Sequence, residues 1–457
     1  MPFLLLMPSY NQAHYIKEAV DSVLAQDDPD WELWILDNST DGTPQVMAAY
    51  SDPRIHFIHE PRRMDPGLCL NEMLRMATGE FFSYIHTDNR LGPNYVSAFR
   101  TALRQHPMAL AYCDQYDIDE DVRGRKYRKR PPVFSSARLF SWDSLGAPFA
   151  ATTKLAEAVG GFSADDLADD VYFALKSDGL GPRIHVPKAL VEYRSHGGSR
   201  AESLGYHAVA QAIYRSVLKV YGTRAAHLPD PFEGMLPAIQ RHAERAFAQA
   251  RCLAGALLAR TPREAPLWID DVGPASFWLA LACESLGRPP KGFRAAKPGT
   301  LMGLPVRSLA EPLELGAHCL RPRRKGLDSS SLGQDWTQPF RWLLRGLPPT
   351  DHALKRYPAS IMCSLLVPFH HQHPGGAVCI QGQGPLGAYL AYGLETIAQL
   401  PVLGFSSGPG VLGLPQADGE GEGTLWSLPG APFAARGIAW RMRASHDPQV
   451  TSPAEQP

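Results

Sequence analysis

Short apolar runs alternate with segments of helical periodicity from residue 3 to about residue 195, and this alternation constrains the fold more than any other feature. The run 3–7 is continuously apolar, which is typical of a strand buried on both faces. Apolar residues at helical spacing then predict one buried helix face: Ile16, Ala19, Val20, Val23 and Leu24. Further strands are predicted at 31–36, 55–58, 81–85 and 109–113, and a further helix at 67–77. This order predicts an α/β fold in which helices cover a mainly parallel sheet.

The character of the sequence changes after this domain, which is expected to span 1–205. Segments rich in Ala, Leu and Arg predict a helical region over 206–285, and a basic, proline-rich stretch predicts an irregular linker over 286–375. A strand, a glycine-rich turn and a helix predict a small Rossmann-like α/β module over 376–430. The remaining residues, 431–457, are expected to form a flexible tail.

Charge and cysteine content restrict the classes of partner and compartment. The 45 Lys and Arg residues balance 46 Asp and Glu residues, so no overall field attracts nucleic acid, and none is expected as a partner. The seven cysteines form no C-x-x-C pair, which argues against a zinc site or a disulfide framework and favours a reducing cytoplasm. No run approaches the ~20 apolar residues that span a bilayer. The expected location is therefore cytoplasmic, and peripheral association with the inner face of the membrane stays open.

Polar residues follow the first, second and fourth predicted strands, where open α/β sheets bind ligands. These are the segments PSYN (8–11), DNSTDGT (37–43) and HTDN (86–89). Tyr10 offers a flat ring to a base, and Asp37 offers an acceptor to an imide N–H such as that of uracil. Asp88 can hold Mg²⁺ or Mn²⁺ with the help of a diphosphate. Ordinary turn chemistry and helix capping are the alternative explanations for these residues.

Four aspartates precede or open a predicted helix in VGGFSADDLADDVYFALK, residues 159–176. A carboxylate at a rigid helix start can act as a general base toward an acceptor hydroxyl. The alternative is favourable interaction of acidic residues with the helix dipole.

The motifs L-x-MPSYN, WILDNSTDGT, LNEMLRMATGEF, IHTDNRLGPNYV, VGGFSADDLADDVYFAL and VEYRSHGGS follow in this order over about residues 3–200. In order and spacing they resemble the inverting nucleotide-sugar glycosyltransferases of family 2. The resemblance implies the GT-A fold, a three-layer α/β/α sandwich with a mainly parallel sheet. It also implies a nucleoside-diphosphate sugar as donor and a divalent metal, Mn²⁺ or Mg²⁺, as cofactor.

The resemblance assigns roles around the nucleotide. It implies that Pro8, Tyr10 and Asn11 lie at the nucleotide edge and that Asp37 contacts the base. In the Asp-x-Asp-like stretch, Thr87 is a donor-site residue and Asp88 is the metal-binding carboxylate, whereas His86 and Thr87 depart from the more acidic family form. This departure implies weak metal affinity or a metal held mainly by diphosphate.

The resemblance also assigns the reacting groups. The pair Asp169-Asp170 takes the place of the family's Glu-Asp pair, so Asp170 is implied as the catalytic base and Asp169 as its near neighbour. His196 matches a position near the diphosphate, where it joins the metal when neutral or pairs with phosphate when protonated. Arg194 is expected to meet phosphate as well. A purely structural histidine is the alternative for His196.

The implied function is sugar transfer, from UDP-sugars in preference, to the hydroxyl of a glycan, a lipid-linked glycan or a protein, in cell-surface polysaccharide or glycan synthesis. Gly382, Gly384 and Gly387 form G-x-G-x-x-G between a predicted strand and a predicted helix, which is the context of a dinucleotide-binding turn. A nucleotide-sensing protein with a second nucleotide site is therefore an alternative function. A catalytically degenerate GT-A scaffold is another, since His86 and Thr87 are atypical of the family.

Overall fold

The computed structural model describes two compact units, Met1–Pro231 and Phe232–Pro457, each of which is considered by itself. The described residues are 1–133, 145, 148–164, 168–198, 200–223, 236–320, 366–371, 378–381, 385–405, 412, 423–427 and 441–445. Among them, none of the helices is both long and apolar enough to cross a lipid bilayer.

The first unit is built on a nine-stranded sheet with the strand order β3-β2-β1-β4-β8-β6-β9-β5, in which β7 pairs with β6. Strands β1 to β4 run parallel to one another, β6 runs parallel to β9, and β5, β7 and β8 are antiparallel to their neighbours. The strands are β1 Phe3–Ser9, β2 Trp31–Asp37, β3 Ile55–His59, β4 Phe81–Tyr84, β5 Arg90–Leu91, β6 Leu110–Asp119, β7 Arg125–Arg128, β8 Ala150–Thr152 and β9 Arg183–Ser195. The predicted mainly parallel sheet is confirmed.

Helices lie on both faces of this sheet. They are α1 Ala13–Leu24, α2 Thr43–Met47, α3 Pro66–Met76, α4 Tyr95–Leu103, α5 Thr153–Val159, α6 Asp169–Lys176 and α7 Arg200–Thr223. Phe3, Leu5 and Met7 share a core with apolar residues of α1 and α4. On the other face, Phe82 of β4 packs edge-on against Phe173 of α6 at 5.9 Å between ring centroids. Because alternate strand residues point to opposite faces, the continuous apolar run of β1 lies between two layers of helices.

Local sequence explains where the helices around the site begin and end. Helix α5 follows Thr152, whose side chain accepts the N–H of Leu155, and ends at Gly160, which has a left-handed φ of 78°. Gly161 follows with a φ of 81°, so this glycine pair forms a defined turn rather than a flexible one. The side chain of Asn71 in α3 receives the N–H of Phe162 and donates to its carbonyl, which fixes the turn against α3.

The second unit contains two further sheets. A five-stranded, mostly parallel sheet has the order β12-β13-β11-β10-β14, and a four-stranded sheet has the order β16-β15-β18-β17. The strands are β10 Leu267–Asp270, β11 Gly292–Ala295, β12 Gly299–Leu301, β13 Leu304–Ser308, β14 His318–Leu320, β15 Val378–Gln381, β16 Val402–Phe405, β17 Gly423–Ser427 and β18 Arg441–Ser445. The helices are α8 Leu236–Leu258, α9 Pro274–Ser285 and α10 Pro385–Gly393, followed by a π-helical turn at Leu394–Ala398.

This part of the chain differs from the predicted organisation. The boundary placed at residue 205 lies inside α7. Strand β10 lies within the predicted helical region, β11 to β14 lie where an irregular linker was expected, and β18 lies within the expected flexible tail. These strands have three to five residues. So few residues carry too little alternation to distinguish a short strand from a turn-rich connector.

Candidate functional site

The site is built at the carboxyl ends of neighbouring strands, where the polar turns predicted from the sequence meet. Asn11, which follows β1 and has a left-handed φ of 52°, donates its N–H to Ser39 Oγ at 2.8 Å. Its side-chain oxygen accepts the N–H of Thr40 at 2.7 Å. Gln12, the next residue, accepts a hydrogen bond from Thr87. Hydrogen bonds therefore join the turns after β2, β1 and β4 into one rim.

Asp37 ends β2 as a fully buried carboxylate. Its Oδ1 accepts a hydrogen bond from Ser39 Oγ at 2.5 Å, and its Oδ2 lies 2.8 Å from Nδ1 of His59. His59 stands opposite Asp37 in the parallel register of β2 and β3, at the end of β3. The sequence analysis missed His59, although applying the strand-end argument to the third strand would have found it.

Tyr10 and Pro8, both predicted at the nucleotide edge, have different surroundings. The Tyr10 side chain is 42% exposed, and the guanidinium of Arg63 lies over its ring at 4.6 Å from the centroid. Pro8 is buried within β1, next to the strand's last residue and opposite Leu36. Asn11 is exposed, as the nucleotide-edge assignment expects, but both its backbone N–H and its side-chain oxygen already bind the turn after β2.

Asp88 and His196, which the resemblance assigns to the metal and the diphosphate, form a hydrogen-bonded pair. Asp88 lies in the turn after β4, and its Oδ2 is 3.0 Å from Nε2 of His196, which follows β9. The imidazole of His196 packs against the buried ring of Tyr15, with 4.9 Å between ring centroids. Two residues separated by more than a hundred positions therefore form one pair.

Arg194 is placed differently from the expectation that it meets phosphate. Its side chain is 2% exposed. Nε donates to the Asp88 carbonyl at 3.0 Å, and Nη1 and Nη2 donate to the Glu120 carbonyl and to Glu18. Its backbone N–H donates to Asn89 Oδ1 at 3.0 Å. These bonds make Arg194 a support for the Asp88 turn, because all three guanidinium nitrogens are bonded to protein acceptors.

Asp170 lies in the first turn of α6 beside two side chains from the β4 end. Tyr84 donates its hydroxyl to Asp170 Oδ2 at 3.4 Å, and His86 is close enough to act on the carboxylate electrostatically. Burial raises the pKa of Asp170, and the charge of His86 opposes this rise. Asp169 precedes Asp170 in α6 and is buried; burial raises the pKa of the Cys69 thiol, and the charge of Asp169 adds to this rise. A carboxyl with a raised pKa at a strand-end rim is suited to proton transfer.

Tyr193 lies on β9, one residue before Arg194. Burial raises the pKa of Tyr193 to about 12, and the charges of both Asp88 and Asp170 add to this rise. Tyr84 ends β4 and donates to Asp170, and Asp88 lies in the turn that follows β4, so both carboxylates lie at the end of this strand. The sequence analysis missed Tyr84 and Tyr193, since a tyrosine within a strand carries no signal in one sequence.

The Asp88–His196 pair has the donor chemistry of a divalent-metal site. A carboxylate oxygen and an imidazole nitrogen both suit Mn²⁺. Among the described residues, no group of three or more His, Cys, Asp or Glu side chains is arranged to hold a metal ion. The fit therefore depends on further oxygens, such as those of a diphosphate.

Sequence alone leaves the basic run 123–130 open between a solvated loop and a phosphate-binding segment, and in the structure three of its arginines form ion pairs with acidic residues. Its residues 125–128 form β7 on the edge beside β6. Arg125 pairs with Glu192 at 3.1 Å, and Arg128 pairs with Asp117. These ion pairs neutralise part of the charge that would attract phosphate.

The second glycine motif has the predicted strand–helix–strand context in part. Strand β15 precedes helix α10, and β16 runs parallel to β15. Gly387 lies within α10, whereas Gly382 and Gly384 lie outside the described residues. Nucleotide binding at this turn stays a prediction.

Comparison with known proteins bears on the first unit. Residues 5–157 match the family model described as glycosyl transferase family 2. The succinoglycan biosynthesis protein ExoO of Rhizobium meliloti is 32% identical over 146 residues, which cover 31% of this chain and 40% of that protein. The UDP-Glc:alpha-D-GlcNAc-diphosphoundecaprenol beta-1,3-glucosyltransferase WfgD of Escherichia coli is 33% identical over 86 residues, which cover 19% of this chain and 34% of that protein.

Solved structures also match. The crystal structure of S. aureus TarS 1–349 in complex with UDP-GlcNAc has a TM-score of 0.42 and 21% identity, covering 49% of this chain and 66% of that chain.

The chain spans about a third to a half of the length of the first curated relatives it matches. The family-model match confirms the predicted family for residues 5–157, and the layered, mainly parallel sheet confirms the predicted fold class of the first unit.

Proposed function

We propose, from the premise that residues 5–157 form a glycosyltransferase family 2 domain of the GT-A type, that this chain transfers a sugar from a nucleoside-diphosphate sugar to a hydroxyl acceptor with inversion. The observation that carries the proposal is that the Asp88–His196 pair follows β4 while Tyr84, the last residue of β4, donates its hydroxyl to Asp170. It gives one rim both a diphosphate-binding pair and a carboxyl suited to accept a proton.

In the proposed reaction, Asp170 removes the proton of the acceptor hydroxyl while that oxygen attacks the anomeric carbon. The bond between the anomeric carbon and the diphosphate oxygen breaks, and its electron pair leaves with the nucleoside diphosphate. A single displacement of this kind inverts the configuration at the anomeric carbon. The proton ends on Asp170, whose raised pKa favours holding it.

Other residues of the rim act on the departing diphosphate. Asp88 and His196 would hold the Mn²⁺ or Mg²⁺ ion, which when bound supplies positive charge to the departing diphosphate. Arg194 positions this turn through the Asp88 carbonyl. Thr87 fixes the same turn to the nucleotide edge through Gln12.

The substrate class is proposed from the rim and the relatives. UDP-sugars are the favoured donors because Asp37, which ends β2 on this rim, can accept the imide N–H of uracil at its carboxylate. The relatives named for succinoglycan biosynthesis and for a glucosyltransferase acting on a diphosphoundecaprenol-linked sugar support cell-surface polysaccharide synthesis. The acceptor is then a glycan or a lipid-linked glycan, met from the cytoplasmic side at the membrane surface; a protein acceptor is the alternative.

A thermal-shift panel tests the donor class. The full chain is melted with each of several UDP-, GDP-, CDP- and dTDP-sugars, with and without Mn²⁺. A donor present at 100 times its dissociation constant adds about 2.7 kcal/mol of stability, so a true donor produces a clear rise in Tm. We expect the rise with a UDP-sugar and its loss in Asp88→Ala. Absence of any rise and of any donor turnover across the panel would favour a catalytically degenerate scaffold.

A further inference from the structure

Two parts of the second unit carry the same sequence pattern. The pattern I-x-x-x-G-P-x-x-x-x-L-A-x-x-x-E occurs at 269–284 and again at 380–395. Gly-Phe then follows at 292–293 and at 404–405, so the segments before it differ in length by one residue. Agreement in this order is typical of an internal repeat.

The two parts also fold alike where the structure describes both. Strand β10, helix α9 and strand β11 of the first part correspond to β15, α10 and β16 of the second. In the first part, Ile269 lies opposite Phe293 in a parallel strand pair. In the second part, the aligned Ile380 lies opposite Phe405, again in a parallel pair. The sequence repeat is therefore also a repeat of strand register.

A turn with uncommon backbone geometry is repeated as well. Gly-Leu-Pro occurs at 303–305 and at 413–415, directly after Met302 and Leu412. Both of these residues have a left-handed φ, 51° for Met302 and 55° for Leu412. Few residues with a side chain adopt this conformation, so its occurrence at both aligned positions is a specific likeness. Residues 267–305 and 378–415 are named the first copy and the second copy of one module.

Two hydrogen bonds join the copies in a reciprocal manner. Glu284 of the first copy accepts the backbone N–H of Leu412 of the second copy at 2.8 Å. Glu395 of the second copy accepts the backbone N–H of Met302 of the first copy at 2.7 Å. Since Glu284 aligns with Glu395 and Met302 aligns with Leu412, the same contact is made twice, once in each direction. Such reciprocity is the property of an interface with twofold symmetry.

A pair of aligned aromatic residues lies between the two helices. Trp278 of α9 and Tyr389 of α10 occupy aligned positions, and their rings stack with 5.0 Å between centroids. In a twofold interface, a residue meets its own equivalent only at the symmetry axis. The Trp278–Tyr389 contact therefore marks the position of that axis.

We propose that the two copies pair through an interface with twofold symmetry, so that the partner of this surface is the other copy of the same module. The helices explain why such a partner is needed, because every residue of α9 from Ser276 to Cys283 is buried. A helix that is buried all round needs cover on each side. Helix α8 packs against both α9 and α10, and α10 covers α9 at Phe277 and Trp278. The inference concerns the second unit and does not depend on the proposed sugar transfer.

Hydrogen–deuterium exchange of the full chain, followed by mass spectrometry of its peptides, tests the pairing. Glu284→Ala removes the acceptor for Leu412, so the peptide with Leu412 should exchange about two- to tenfold faster while the peptide with Met302 is unchanged. Glu395→Ala should give the reverse result. Each substitution is thus expected to act on the copy that does not contain it.

Three further variants separate the pairing from general loss of structure. Glu284→Gln and Glu395→Gln keep an acceptor oxygen without its charge, so they should give the same crosswise pattern with smaller changes. They supply the test if the alanine variants do not fold. Glu311→Ala is the matched control, since Glu311 is exposed in the segment after β13 and should leave both peptides unchanged. Thermal melting verifies that each variant is folded.

Two results would overturn the inference. The first is an equal response of the Met302 and Leu412 peptides to each folded glutamate variant, which would mean that the change spreads through the unit without crossing specifically. The second is no response of either peptide, which would mean that these carboxylates do not hold the copies together.

Discussion

Asp170 is a carboxylate whose surroundings disfavour its charge. Burial raises its pKa above the value in the unfolded chain, so the folded unit holds this proton more tightly than the unfolded chain does. The stabilisation that comes from the protonated form is complete below the unfolded pKa of about 3.9 and is lost as the pH rises through the folded value. At neutral pH the ionised group therefore costs stability, although the proposed reaction requires it.

Replacing this carboxylate by an amide should make the protein more stable. Asp170→Asn keeps the shape and the acceptor oxygen for Tyr84 but carries no charge. We expect a higher Tm than the wild type at pH 7, measured by calorimetry, and a difference that shrinks toward zero near pH 4. A lower Tm at pH 7 would show that the charge of Asp170 is stabilised by its surroundings.

His86 is an atypical residue of the acidic motif that acts on Asp170. The charge of protonated His86 lowers the pKa of Asp170 and so partly offsets the effect of burial. In His86→Gln the pKa of Asp170 should rise, and the acidic limb of the kcat–pH profile should move to higher pH, because the base is protonated over a wider range.

The matched control for this profile is His106→Gln, since His106 is exposed just beyond the end of α4. It should leave the acidic limb in place. An acidic limb that stays fixed, or moves to lower pH, in folded His86→Gln would separate His86 from Asp170.

Helix α3 positions the segment that leads into the Asp170 helix through a close backbone approach. A Cβ built on Gly67 would lie 1.9 Å from the Ser163 carbonyl oxygen and 3.2 Å from Asp169 Cβ. Backbone atoms cannot yield as a flexible side chain can. Any side chain at residue 67 must therefore displace the segment around Ser163 and, with it, the start of α6.

Gly67→Ala should consequently lower kcat by an order of magnitude or more and reduce Tm by several degrees, since overpacking typically costs about 1–3 kcal/mol. Gly255→Ala is the control, because Gly255 lies exposed in α8 with no atom within 4 Å of the added Cβ. That substitution should raise stability slightly through helix propensity. Wild-type kcat and Tm in Gly67→Ala would show that α3 and α6 do not constrain each other.

Helices and strands were predicted correctly from the sequence where the apolar pattern extends over many residues, and they were missed where it covers only a few. In both α1 and β1 several residues must be buried, so the apolar pattern in the sequence predicts where these elements lie. A strand of three residues, such as β12, contains too few buried positions to produce a recognisable apolar pattern. At the site, the place of Asp88 just after β4 follows from the strand-end argument, whereas the bonds of Arg194 to the protein depend on tertiary packing.

Across the molecule, the thiols report whether both units are folded. Burial raises the pKa of Cys69, Cys113 and Cys283 to about 12, so their reactive thiolate forms are scarce at neutral pH. Cys252 is exposed on α8. In native protein, a thiol reagent should modify Cys252 rapidly and these three buried cysteines only after denaturation.

Comparison with Cys252→Ser checks the assignment, because the variant should lose one rapidly reacting thiol and keep the wild-type total minus one after denaturation. Mass spectrometry of the modified peptides identifies each cysteine. Rapid modification of Cys69 or Cys113 in native protein would contradict the packing of the first unit, and rapid modification of Cys283 that of the second.

Turnover of the donor by Asp170→Asn at saturating acceptor and donor tests the central claim most directly, with donor affinity measured in parallel by calorimetry. General-base assistance typically contributes 10²–10⁴-fold, so kcat should fall by at least about a hundredfold while donor binding is retained. Wild-type turnover in the folded variant would contradict the account.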